Sequence, residues 1–157
     1  MSDAVLALRL LHFLGAAVLF GTGLGIAFFM FMAHRTTDVG VVAAAARHTV
    51  LADLIFTATA VIVQPVTGIA LALLLGYSLT EPWLVASVAL YLLAGACWLP
   101  VVRIQIRVRD MARHAHESGS PLPPAYNTLM RLWFWLGWPA FLSVIAIFAL
   151  MVFRPGP

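Results

Sequence analysis

Four stretches of this chain, roughly 4–32, 49–75, 83–102 and 129–153, are long and apolar enough to cross a hydrocarbon layer as helices. A bilayer core takes about 20 apolar residues in helical form. In lipid every backbone polar group needs a partner within the protein, which leaves helices or a closed barrel. None of the four stretches alternates apolar with polar residues, so the pattern excludes a barrel. The expected fold is all-α: a four-transmembrane-helix bundle forming one polytopic domain over residues 1–157. A basic extension carries the third helix on to about residue 116.

Composition agrees. The chain is 63% hydrophobic and 10% charged, against roughly 25% charged in a soluble domain. There is too little polar surface here for water. All nine basic residues are arginine. The formal charge of +3 sits in the loops, where it favours lipid headgroups over nucleic acid. The single cysteine, Cys97, excludes an intrachain disulfide, and the lack of Cys-x-x-Cys-His excludes covalent c-type haem. The first apolar run lacks a basic start and outlasts a signal core of about 7–15 residues, so it is expected to be a mature helix.

Arginines set the expected orientation. Arg35 and Arg47 lie between helices one and two; Arg103, Arg107, Arg109, Arg113 and Arg131 lie between helices three and four. Arg9 and Arg154 are left for the other side, with Glu81 in the short turn. Both basic loops are therefore expected in the cytoplasm and both termini outside, in a bacterial inner membrane. Tyr77 and Trp83 then fall at the outer interface as an aromatic belt.

The first helix carries His12, a titratable group in a hydrocarbon-facing segment, which costs free energy unless something uses it. At 100° per residue, Gly15, Ala16, Leu19 and Gly23 lie within about 60° of it. Gly21 and Gly25 form a Gly-x-x-x-Gly on nearly the opposite face. Two readings stand: both faces pack helices, one of them in a homo-oligomer, or the glycines beside His12 leave room for a flat cofactor.

In the second helix Asp53, Thr57, Gln64, Thr67 and Gly68 project within about 60° of one another, a stripe expected to face the bundle interior. Pro65 frees the carbonyl of Val61 and should bend the helix. The freed groups are satisfied locally, or Gln64, Thr67 and Gly68 wall a site. Counting along antiparallel helices puts Gln64, Thr67, Gly68 and Met151 near the level of His12. His48 lies at another level.

Asp53 needs a partner or stays protonated. Arg103 and Arg131 are the expected partners, in a structural ion pair; a proton relay or an anionic-substrate site is the alternative. Tyr91, Gly95, Trp98, Gln105 and Arg109 share one face of the third helix. In the fourth helix Trp135 and Trp138 fall on the Arg131 side, in position to line the bundle. His114 and His116, on a solvated helix end, read as polar surface.

Soluble-enzyme motifs are absent: no Walker loop, no Gly-x-Ser-x-Gly, no His-Glu-x-x-His, no dinucleotide fingerprint. One membrane histidine remains, and a proximal histidine alone can hold a haem. Met151, water or Gln64 would be a second ligand, or there is none.

Leu11–Gly25 with Ala33-His34-Arg35, Gln64-Pro65-Val66-Thr67-Gly68, Trp98-Leu99-Pro100-Val101-Val102 and Gly137-Trp138-Pro139-Ala140-Phe141 resemble a bacterial family of integral membrane proteins, domain of unknown function 2269. More distantly the layout is similar to HemJ-type protoporphyrinogen oxidases and the membrane part of copper-resistance D proteins. The shared features are four helices, an early Leu-His, a Pro then a Gly in helix two, a Pro inside helix four and a basic-Pro ending. That resemblance implies b-type haem on the first-helix histidine, here His12. It also implies a lysine early in helix three, where this chain has Trp83-Leu84-Val85-Ala86-Ser87.

The leading expectation is a membrane protein that binds haem b, with His12 as iron ligand and Gly15, Gly23, Gln64, Thr67 and Gly68 around it. Its work would be electron transfer, with an unidentified redox partner, or a porphyrin-related step. The alternatives are an accessory subunit associating through Gly21 and Gly25, and a small metal- or solute-handling protein using Asp53, Gln64 and the arginines.

Overall fold

The computed structural model describes residues 2–36 and 38–155. Its helices are α1 (Asp3–Thr36), α2 (Val39–Ala52), α3 (Ala58–Leu74), α4 (Pro82–Glu117) and α5 (Pro124–Phe153). A π-helical turn, Asp53–Thr57, joins α2 to α3 without a break. Four helical rods are thus long and apolar enough to cross a membrane, and no strand occurs among the described residues.

The rods exceed the apolar segments because local signals beyond the hydrocarbon start and stop them. Asp38 caps the second crossing, its carboxylate accepting from the Val41 N–H at 3.0 Å. That helix therefore starts ten residues before the apolar stretch at 49. Proline supplies the first residue of both α4 and α5, where its missing N–H costs nothing. The fourth crossing accordingly begins at Pro124 rather than 129. α3 and α4 end alike. Gly76 (φ 75°) and Gly119 (φ 63°) turn left-handed. The following N–H reaches back five residues, Tyr77 to the Ala72 carbonyl and Ser120 to Ala115, each at 2.9 Å. Glycine takes that conformation without a Cβ penalty.

The crossings pack in chain order: α1 on α2 and α3, α2 on α4, α4 on α5. α1 and α5 approach sparsely, and aromatic rings bridge them. Phe20 stacks on Phe141 with centroids 5.2 Å apart, and Phe31 on Phe134 at 5.8 Å. The main core lies in the half nearer the basic loops, around Met30, Val42, Ile104, Val108, Tyr126 and Met130. A smaller cluster of Ala72, Trp83 and Leu84, with Met151 against it, closes the other end.

The π-turn changes the expected polar stripe. The Ala58 N–H bonds to the Asp53 carbonyl, five residues back. Such a turn takes in one residue more than an α turn, so side chains beyond it fall back by about 100°. A regular helix would align Asp53 with Gln64 and Thr67. Instead Asp53 meets Trp98 on α4, while Gln64 and Thr67 meet His12 on α1.

Candidate functional site

His12 is half-buried, between the strongly exposed Phe13 on one side and α3 on the other. Its Nδ1 lies 2.7 Å from the Thr67 hydroxyl oxygen. That oxygen is also 2.7 Å from the Val63 carbonyl. A hydroxyl has one proton to give, and the carbonyl can only accept. Thr67 therefore donates to Val63 and accepts from the His12 Nδ1–H. A neutral imidazole in this arrangement is the Nδ1–H tautomer, with a lone pair on Nε2. Nε2 has no hydrogen-bond partner among the described residues.

A second bond locks the same pair of helices. Gln64 Nε2 donates to the His12 backbone carbonyl at 2.9 Å. Glycine permits both contacts. A Cβ at Gly15 would run into the Gln64 amide nitrogen, and one at Gly68 would lie 3.2 Å from His12 Cε1. The room at these two glycines is thus taken by Gln64 and by the histidine ring. Gly23 stands apart: a Cβ there meets nothing within 4 Å. The structure brings together His12, Gly15, Gln64, Thr67 and Gly68. Met151 sits in the end cluster with Ala72, Trp83 and Leu84. No group of three His, Cys, Asp or Glu side chains capable of holding a metal occurs among the described residues.

The carbonyl that Pro65 frees is also accounted for. The Tyr91 hydroxyl of α4 donates to the Val61 carbonyl. The bend is satisfied from a neighbouring helix, one turn from Gln64.

Asp53 forms a second polar centre. It is 3% exposed, and the Trp98 Nε1–H donates to both carboxyl oxygens at 3.2 Å. The expected ion pair with Arg103 or Arg131 is not formed. α4 turns Val101, Ile104, Gln105 and Val108 inward and leaves Arg103 exposed; α5 turns Met130 and Trp133 inward and leaves Arg131 exposed. The same phase of α5 puts Trp135 and Trp138 on the outside, at 69% and 47% exposure, and buries Trp133 instead. The only ion pairs among the described residues join Asp110 to Arg109 and Arg113.

The opposite face of α1 is open. A Cβ at Gly21 or Gly25 meets nothing within 4 Å. A groove of about 710 Å³ runs beside it between α1 and α2, with Gly25, Phe29, His48 and Thr49 among its walls.

The sequence points to the α1–α3 contact through the level and face of each residue. It gives no warning of the π-turn or of Trp98 as the partner of Asp53. The available signal is that Trp98 and Tyr91 share a face of α4, one indole and one phenol aimed at the second crossing.

These features define a multi-pass integral membrane protein whose first two crossings are pinned together at a histidine. The chain belongs to the family of predicted integral membrane proteins DUF2269, whose model matches residues 6–155. Comparison with curated proteins and with solved structures finds no match.

Proposed function

We propose that His12 is the axial ligand of a b-type haem, and that the protein works in electron transfer or in a porphyrin-related redox step. One observation carries this reading. Thr67 commits the histidine to the Nδ1–H tautomer and leaves Nε2 with a free lone pair. Metal-bound histidines are held in the same way, their other ring nitrogen donating to an oxygen of the surrounding protein. A bound haem would supply a one-electron couple. The chain's own part is to hold the imidazole neutral, oriented and out of bulk water. Gln64 and Gly68 fix the ring from the α3 side. Because Gln64 and the histidine ring take the room at Gly15 and Gly68, a macrocycle is left to lipid-facing side chains or to a second copy.

The test is a visible spectrum of the protein purified in mild detergent, oxidised and then reduced with dithionite. A Soret band with sharpened α and β bands on reduction supports the reading, provided His12→Ala loses them while still inserting. Full absorption in that variant, or a native protein that stays colourless when haem is added, removes it.

The arginine distribution favours the basic loops in the cytoplasm of a bacterial inner membrane, both termini outside. A reporter fused after Pro155 that is active only in the cytoplasm would reverse this.

A second reading is favoured by the open Gly21/Gly25 face. There the protein is an accessory subunit whose α1 packs on a partner helix, in its own copy or another chain. Gly21→Leu and Gly25→Leu then abolish association on a sizing column. Unchanged elution counts against it.

A further inference from the structure

All four crossings converge on a small cavity in the main core. Met30 of α1, Thr49 of α2, Gln105 and Val108 of α4, and Met130 and Trp133 of α5 line it. Each of these six is at most 7% exposed. Two buried polar atoms in its wall have no hydrogen-bond partner among the described residues: Gln105 Oε1 and Trp133 Nε1. They are complementary, since the carbonyl oxygen only accepts and the indole N–H only donates. Leaving both unpaired inside an apolar bundle is costly, because there is no solvent to compensate. The cavity has about 10 Å³ of water-accessible space. About 10–15 Å³ on that measure is what one water needs, together with two to four polar partners.

We infer that this cavity is a binding site for one water molecule, which accepts from the Trp133 Nε1–H and donates to Gln105 Oε1. The Thr49 hydroxyl, in the same wall, offers a third partner. The water joins α2, α4 and α5 where their apolar surfaces alone leave two polar atoms unanswered. It lies away from the His12 contact and shares no residue with it, so the haem reading can fail without affecting it.

The experiment uses the full chain, with ¹⁵N-labelled tryptophan, in deuterated detergent. The five tryptophans give five indole signals, and Trp133→Phe identifies the one from residue 133. A cross-peak from that indole proton to water is expected, surviving a soluble paramagnetic agent that broadens exposed indoles. Gln105→Met keeps the length of the side chain and removes its acceptor; the cross-peak should then disappear. A resolved Trp133 indole with no water cross-peak overturns the assignment. So does a cross-peak unchanged in Gln105→Met. If Gln105→Met fails to fold, density maps of the native protein decide: a water peak between the two side chains sustains the site, and direct contact between them overturns it.

Discussion

The Trp98 indole nitrogen lies 3.2 Å from each carboxyl oxygen of Asp53, sharing one N–H between them. This is one of two polar contacts among the described residues, with Tyr91 on the Val61 carbonyl, that join the second and third crossings. Trp98 is the donor that reaches this buried carboxyl from another crossing, so the carboxyl depends heavily on it. Trp98→Phe should cost about 1–3 kcal/mol, the range for stranding a buried polar group. Trp98→Phe combined with Asp53→Leu should recover much of that loss, since both halves of the contact then go. Thermal unfolding in mild detergent measures the three variants. A double variant no more stable than Trp98→Phe would show that Asp53 has a role beyond its indole partner.

Tyr91 and Pro65 form a similar pair across the same two helices. Proline removes the N–H that would otherwise serve the Val61 carbonyl, and Tyr91 replaces it. Tyr91→Phe should destabilise by about 1–3 kcal/mol in the native background. In Pro65→Ala the new backbone N–H can take over, and the same substitution should cost little. A double-mutant cycle on unfolding should give a coupling above about 0.5 kcal/mol; strict additivity would refute the exchange.

At the histidine, Thr67→Val keeps the shape and removes the oxygen that accepts from Nδ1–H. Imidazole ¹⁵N shifts should report a single Nδ1–H tautomer in the native protein and a mixture in the variant. The expected loss of stability is about 0.5–1.5 kcal/mol, that of one ordinary hydrogen bond. A native Nε2–H tautomer would invert the assignment and remove the free lone pair.

The glycines of α1 should divide by position. Gly15→Ala displaces the Gln64 amide from the His12 carbonyl and should lower stability by about 1–3 kcal/mol. Gly23→Ala enters open space and should be neutral or stabilising by up to about 1 kcal/mol, the ordinary helix preference for alanine. Equal losses at both positions would mean that Gly23 faces a partner helix in the assembled protein.

Much of this was legible in the sequence, and the limits are physical. Four membrane crossings follow from the lengths of the apolar runs. The meeting of His12 with Gln64, Thr67 and Gly68 follows from helical rise and level, because one extra residue in a turn changes the level of a side chain little while it changes its face. Helix ends were harder: Asp38 and Pro124 act outside the hydrocarbon, where hydropathy carries no signal. The partner of Asp53 is hidden in the sequence because charge points to arginine while helix phase brings in Trp98. Arg103 and Arg131 lie close along the chain to the inward-facing Gln105 and Trp133, but their own side chains point out. The stripe breaks for one reason, a wide turn that no single residue type announces.

That wide turn means the second crossing contains one spare residue. Leu54, Ile55 and Phe56 are all exposed there, at 69%, 51% and 49%. Removing one of them would let the turn close as ordinary α-helix, with Asp53 still toward Trp98 and Thr67 still toward His12. Removing a residue from the regular helix between Ala58 and Val63 keeps that arrangement only if the wide turn closes in compensation. The second crossing therefore has room to lose one residue between its two polar contacts, and losing a second would swing one partner away from its mate.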